Sequence, residues 1–520
     1  MNRLVWFPIL LALAARVVPG PHTVDDAFIT FRYAANLASG HGLTYNPGEW
    51  VMGSTTPLYT LILAAAYRWL DAVDLAHFSW LFNALLDTAG TALLFRLGRK
   101  LTGDSLVGWG AALLWSVTPH SVTFAIGGLE TSLVIALLLA AMALHLEGRD
   151  GWCGLALGLG VLTRPDVLIA AGLVLGAESV LRFVRAWRMD AHPGQQVAAR
   201  TAWVAKSLPV RAVLATLAPI LPWALYATVI FGSPLPHSIA AKTVAYRLSP
   251  EAGLVRILQH YATPFHEHLI LGGKWVIVGL VLYGTLYAIG AWAAGRQDRR
   301  SVPWFAYPLV YGAVYALANP LLFRWYLSPP VPFGYLGILA GVHALSRAVT
   351  RERSRARWAL LTMVALFFGA LLNAWHLETQ PGATRPNPAP EMAFVELERQ
   401  YLQVALDLRP VLQPGDRLAA ADIGVVGWYT DAPVLDLVGL VSPQSTPYYP
   451  LPEAAYAINF AVSADLVLAE RPDFVVILEV YGRNTLLRDD RFRAQYALWM
   501  SYPSGIYGSQ GMLVFRRAAS

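Results

Sequence analysis

The chain has 520 residues, of which 56% are hydrophobic and only 14% charged, whereas ordinary soluble proteins are about a quarter charged. That balance excludes a soluble globular enzyme and predicts a polytopic protein of the lipid bilayer. The net charge of +6 and the single cysteine exclude little else of consequence: the arginines cluster in short loops, which argues against a nucleic-acid partner, and Cys153 alone supports neither disulfides nor a thiolate metal site.

In chain order the apolar runs are Leu4 to Val18, Phe78 to Leu97, Ser105 to Ile126, Thr131 to Leu146, Trp152 to Leu162, Val167 to Val184, Leu208 to Phe231, Trp275 to Ala294, Val302 to Ala318, Pro332 to Leu345 and Trp358 to Trp375. Several approach the roughly 20 residues that a spanning helix needs. The first run follows only Arg3 and lacks a small-residue cleavage site, so it reads as a retained anchor. Four Arg-rich loops, "RLGRK" (96–100), "RFVRAWRMD" (182–190), "GRQDRR" (295–300) and "RAVTRERSRAR" (347–357), are expected on the cytoplasmic side.

The outer side then receives residues 21–54 as a first outer loop, the turn "GGLE" (127–130), the break "TRPD" (163–166), a long outer loop 232–274, "NPLLFRWYLS" (319–328) and everything after 377. The segment "TPLYTLILAAAYRWL" (56–70) is apolar but short, and counting it as a crossing reverses every later loop; it is expected to be re-entrant or interfacial. The prediction is an α-helical membrane module over 1–377 with about 11–13 transmembrane helices. A proline-rich linker follows at 378–391, then a small extracytoplasmic α/β domain over 392–520. In that domain a helix is predicted over 392–409 and strands at 417–421, 473–478 and 512–517.

The informative stretch is "PHTVDDAFITFRYAANLASGHGLTYNPGE" (21–49). From Asp25 it predicts a helix to about Ser39, closed by Gly40 and followed by the turn "NPG". Ala27, Phe31, Ala34, Ala35 and Ala38 form an apolar stripe, and Asp25, Arg32 and Asn36 share another face. Thr23 with Asp26 resembles a capping box, a purely structural use of an acid. Beside a membrane bundle, however, two adjacent carboxyl groups are costly, and they can split their pKa values so that one serves as a base.

Other polar residues on the same predicted side are candidate substrate contacts: Arg32, Glu130, Arg164, Asp166, His237, Lys242, Arg324 and Tyr326. Arg and Lys there suit a phosphate. The histidines at 260, 266 and 268 make a weak metal pattern, so no metal ligand is assigned and a divalent metal is left open. "GLALGLG" (154–160) predicts close helix packing through small residues.

The run "DDAFITFRYAANLASGHGLTYNPGEWVMGSTTPLY" resembles the first outer loop of the GT-C superfamily of membrane glycosyltransferases. It is most similar to the branch of actinobacterial terminal arabinofuranosyltransferases and dolichyl-phosphate-mannose-type mannosyltransferases. The resemblance continues through "GGLETSL" (127–133), "LTRPDVL" (162–168), "SIAAKT" (238–243), "FRWYLSPPVP" (323–332) and "DIGVVGWYTDAPVLDLVGL" (422–440). It implies an inverting transferase of the plasma (inner) membrane that takes a sugar from a polyprenyl-phosphate-linked donor to a glycan, lipid or protein hydroxyl on the extracytoplasmic side. Asp25 or Asp26 is then the general base, with Asp25 favoured, and Arg164, Lys242 and Arg324 are phosphate contacts. Asp166 departs from the Glu expected in "TRPD". A protein O-mannosyltransferase is the alternative within enzymes; a lipid or solute transporter or flippase is the alternative outside them.

Overall fold

A computed structural model describes residues 5–518 apart from 71–72, 190–207, 267–271, 351, 379–386 and 394–395. The helices of the membrane module are α1 (Trp6–Val17), α2 (Asp25–Ala38), α3 (Pro57–Trp69), α4 (Leu75–Thr102), α5 (Ser105–Val117), α6 (Pro119–Ile126), α7 (Thr131–Leu146), α8 (Asp150–Thr163), α9 (Val167–Met189), α10 (Val210–Phe231), α11 (His237–Ala245), α12 (Ala252–Ala262), α13 (Gly273–Gln297), α14 (Val302–Ala318), α15 (Val331–Thr350) and α16 (Arg353–Leu372). By length and composition, α4, α9, α10, α13 and α16 are long and apolar enough to cross a membrane, and α1, α5, α7 and α8 are apolar but shorter. The single run expected over Ser105 to Ile126 is in fact two helices. Thr118 is extended, and Pro119 opens α6, where a missing amide N–H costs nothing.

The Arg-rich loops meet at one end of the bundle. Arg96 pairs with Glu147 at 3.2 Å, Lys100 donates to Leu146 O, Gln297 to Lys100 O and Arg300 to His145 O, and Arg182 pairs with Asp150. Because α4 ends there, its first residue lies at the opposite end. α3, with 13 residues, is not among the helices long and apolar enough to cross a membrane. The interior is tied by charge as well as by packing: the buried Arg16 donates from Nε to Asp87 at 2.9 Å and from Nη2 to Ser121 Oγ at 2.5 Å, joining α1 to α4 and α6. The small residues of "GLALGLG" do pack closely. A Cβ built on Gly154 lies 2.2 Å from Ala212 O, and one on Gly158 lies 2.4 Å from Thr216 O, so α8 and α10 touch along their backbones.

After α16, β1 (Trp375–His376) pairs antiparallel with β2 (Ala389–Pro390). The proline-rich segment, expected as a spacer, is therefore pinned at both ends. The C-terminal unit then contains α17 (Glu396–Leu408), β3 (Leu418–Ala420), α18 (Gly424–Thr430), β4 (Val434–Asp436), α19 (Ala464–Glu470), β5 (Phe474–Leu478), α20 (Glu479–Gly482), α21 (Asp490–Gln495), β6 (Tyr496–Pro503) and β7 (Gly511–Arg517). Its sheet has the order β4-β3-β5-β7-β6. β4, β3 and β5 are parallel, with Ala419 opposite both Leu435 and Val475, whereas β7 and β6 are antiparallel. Every residue of β5 is buried, which explains why "FVVIL" is an unbroken apolar run. β4 and β6 have no counterpart in the predicted strands. β4 is only three residues long, and β6 is a mostly exposed edge strand whose register is broken between Leu498 and Met500.

Candidate active site

The site is organised by α2, which has two working faces. Its N-cap is Val24, in extended conformation, with no side-chain cap. The expected capping box of Thr23 and Asp26 is therefore absent, and Glu398 of α17 accepts the Asp25 N–H instead, at 2.6 Å. At the other end Gly40 has φ +87° and the His41 N–H returns to Asn36 O at 2.9 Å, the glycine-closed terminus that the sequence predicts.

The first face carries Asp25 and Arg32, seven residues and about two turns apart, and it is turned toward the C-terminal unit. Asp25 Oδ2 accepts the Gly424 N–H at 2.9 Å and Oδ1 accepts the Val425 N–H at 2.7 Å. Arg32 donates to Tyr45 O, Gly427 O and Ala432 O, and its guanidinium lies 4.5 Å from the centre of the Tyr45 ring. One acid and one base of α2 thus satisfy the orphan amides and carbonyls at the two ends of α18, each at the end whose partial charge it complements. Tyr45 OH donates to Ile423 O, and Asn46 exchanges two hydrogen bonds with the backbone of Val434.

Burial and the charge of Asp422 push the Asp25 carboxyl up to about 8 from 3.8; burial pushes Asp422 up to about 6, and burial and Asp25 raise Glu398. A raised carboxyl holds its proton more tightly in the folded protein than in the unfolded chain. Its contribution to stability is therefore full below pH 3.8 and is lost as the pH rises through about 8. The melting temperature is expected to fall across this range, and Asp25→Asn, which does not titrate, is expected to flatten the fall. Parallel melting curves of parent and variant that decline equally would remove Asp25 as the source.

The second face carries Asp26, Ile29 and Thr30, which line a cavity of about 550 Å³. The wall is completed by Gly53 to Thr56, Glu130, the break 164–166, α11 with Lys242 and Tyr246, Tyr315 and Asn319 of the α14 end, Trp325, Tyr326, and Leu440 from the C-terminal unit. Among the described residues the Asp26 carboxylate accepts no hydrogen bond, in contrast to Asp25. Lys242 lies 5.2 Å from the centre of the Phe323 ring. Burial works against its charge, but the neighbouring Tyr326 and the carboxylates of Asp26 and Asp436 outweigh it, and the ammonium stays charged above the usual lysine range.

Arg164 is 3% exposed. It pairs with Asp166 at 2.6 Å, approaches Glu130 at 3.8 Å, donates to Trp325 O at 3.2 Å and stacks on the Tyr326 ring at 4.9 Å. Asp166 also accepts from Tyr311 and Tyr315 at 2.8 and 2.9 Å. "TRPD" is thus a rigid turn in which Pro165 ends α8 and the two charges neutralise each other across one residue.

Of the residues singled out from sequence, the structure brings Asp26, Glu130, Arg164, Asp166, Lys242 and Tyr326 around one cavity. It does not bring Asp25, Arg32, His237 or Arg324 to its wall. Asp25 and Arg32 are consumed by α18, and His237 opens α11 with its N–H on Met52 O. Arg324 lies close enough to Tyr507 of the C-terminal unit for its charge to act on it. Thr30, Tyr246, Tyr315, Asn319 and Leu440 were not foreseen. Their only advance signal lies in helical spacing from Asp26 and Lys242 or in the "DLVGL" stretch. Among the described residues no group of three or more His, Cys, Asp and Glu is placed to hold a metal ion, and of "HEH" only His266 is described.

A helical bundle whose loops at one end meet a small α/β unit over a charged cavity defines the class: this multi-pass protein has the GT-C fold of membrane glycosyltransferases. It is similar over 99% of its length to ArnT from Cupriavidus metallidurans bound to undecaprenyl phosphate, with a TM-score of 0.55 and 13% identity, covering 98% of that chain. It is similar, again over 99% of its length, to the archaeal oligosaccharyltransferase AglB from Archaeoglobus fulgidus in complex with an inhibitory peptide and a dolichol-phosphate, with a TM-score of 0.55 and 12% identity over 74% of that chain. In sequence, 183 residues are 29% identical to the terminal beta-(1->2)-arabinofuranosyltransferase of Mycobacterium tuberculosis; the match spans 32% of this chain and 29% of the length of that relative. Residues 391–515 match a family described as a domain of unknown function, DUF8728.

Proposed function

We propose that the protein is an inverting glycosyltransferase that moves a sugar from a polyprenyl-phosphate-linked donor to a hydroxyl of a glycan or lipid acceptor, with Asp26 as general base. The observation that carries this reading is the Asp26 carboxylate, which accepts no hydrogen bond among the described residues, in the same cavity as the charged ammonium of Lys242. Asp26 takes the proton of the acceptor hydroxyl while that oxygen forms a bond to the anomeric carbon. The bond from that carbon to the phosphate oxygen breaks on the opposite face, and polyprenyl phosphate leaves with the electron pair. Lys242 neutralises the charge that grows on the leaving phosphate. Arg164 acts as a fixed positive background, since Nη2 is held by Asp166 and Nη1 by Trp325 O.

The undecaprenyl phosphate of the bound ArnT structure and the dolichol-phosphate of the AglB complex support a lipid phosphate as the donor's leaving group. The expected orientation, with the cavity and C-terminal unit extracytoplasmic in the plasma membrane, rests on the Arg-rich loops at the far end.

Lys242→Met keeps the aliphatic stem and removes the charge. Loss of one charge-assisted contact is worth about 1.5–3 kcal/mol, so the Kd for undecaprenyl phosphate is expected to rise roughly tenfold to a hundredfold. Intrinsic tryptophan fluorescence of purified protein titrated with that lipid reads this directly, and an unchanged Kd would take Lys242 out of the mechanism.

A further inference from the structure

The two helices that carry the proposed chemistry are short, and packing must hold them in place. α2 has 14 residues and α11 has 9, and helices shorter than about 12–15 residues are marginal without packing. α2 packs on α3 within the membrane module, and both helices are also seated on the C-terminal unit, through contacts that are mostly backbone on one side. For α2 these are the Asp25 and Arg32 clamps on α18 and the Asn46 pair with Val434. For α11 they lie in the residues that close it: the Arg247 N–H donates to Asn459 O at 2.9 Å, and the Tyr246 ring meets Phe460 at 5.7 Å.

Glycines mark where the two bodies touch. A Cβ built on Gly424 lies 1.8 Å from Asp25 O, one on Gly427 lies 2.0 Å from Tyr45 Oη, and one on Gly53 lies 2.5 Å from Val441 Cγ1. No side chain fits at any of the three while the bodies remain seated.

We infer that the C-terminal unit, which includes the domain of unknown function, is a positioning element of the transfer reaction. It sets the helix bearing Asp26 through Asp25 and Arg32, and the helix bearing Lys242 through Tyr246 and Arg247. Asp25 is in this scheme a positioning residue whose carboxylate never meets substrate. The inference rests on reading the cavity as the transfer site. A misplacement of about 1 Å at a reacting centre is enough to cost roughly a hundredfold in rate, so a unit that, among the described residues, lines the cavity only through Leu440 can still govern turnover.

Two measurements on the full-length protein test it. In the first, amide hydrogen exchange is followed in Asp25→Asn, Gly427→Ala and, as control, Asp26→Asn. Exchange in residues 26–31 and 423–430 is expected to quicken about tenfold or more in the first two variants and in neither segment of the control, while amides of Phe474–Leu478 keep parent protection. Unchanged exchange in both clamp variants overturns the inference, as does loss of protection throughout the sheet, because the unit would then not be an independent platform. The second measurement is the pH dependence of sugar transfer from a polyprenyl-phosphate sugar. Asp25→Asn is expected to lower kcat about tenfold or more with the rising limb of the profile kept at the parent pH, since Asp26 still supplies the base. Disappearance of that limb makes Asp25 itself the base and overturns the inference. Should the parent transfer no sugar at all, the transferase reading fails, and the exchange measurement still decides whether the unit seats α2.

Discussion

Asp26→Asn is expected to lower sugar transfer by roughly two to four orders of magnitude, the usual cost of removing a general base, with no change in melting temperature. The stability half of that expectation is as important as the rate. Among the described residues nothing donates to the Asp26 carboxylate, and its neighbour Glu398 already takes the first free amide of α2. An amide in place of the acid therefore breaks no hydrogen bond and leaves no partner stranded, while it removes the only group on that face able to accept a proton. Transfer from a polyprenyl-phosphate sugar, measured beside a thermal melt, separates the two effects. Retention of transfer within a few-fold of the parent would falsify the mechanism.

Arg164→Met is expected to destabilise the protein by about 3–5 kcal/mol, because it leaves Asp166 and Glu130 as uncompensated carboxylates at a buried turn. The comparison that gives this number meaning is the double variant Arg164→Met/Asp166→Asn. With the paired acid neutralised and still accepting from Tyr311 and Tyr315, a large part of the stability is expected to return. Denaturation of the three variants and the parent closes the cycle. If the double variant is no more stable than Arg164→Met, the pair does not account for the loss. Transfer activity is expected to stay low in the double variant, since the positive background beside the cavity is gone in both.

The pair Asp25 and Asp26 shows how sequence and structure divide the work. The reading of α2 as a helix, its start and its glycine-closed end all follow from local chemistry, and so does the shared face of Asp25 and Arg32. That shared face made Asp25 the favoured base in sequence, because an arginine beside an acid looks like an orienting partner. Both residues are instead turned to the ends of α18, about 400 positions along the chain, where burial and the backbone amides of Gly424 and Val425 use up the carboxylate. The rotation of α2 about its axis puts Asp26 into the cavity. Arg324 shows the same division: its proline break is readable, but whether a side chain on a four-residue turn lines the cavity is not, and Arg324 is not among the lining residues.

The sequence by itself determined that this is a multi-pass membrane protein with its arginines at one end, a small α/β unit at its C-terminus and an acid-bearing helix after its first apolar run. These are properties of composition and period, and each is set by the solvent a segment must meet or by bonds a few residues apart. Only the tertiary structure decided which acid is engaged and which is open, that "TRPD" neutralises its own charges, and that "GVVG" is a seat for the first loop. The first and last of those outcomes depend on contacts between segments hundreds of residues apart, whose hydrogen bonds are made largely to backbone. A backbone amide or carbonyl is the same at every position, so no residue type announces where such a contact will form.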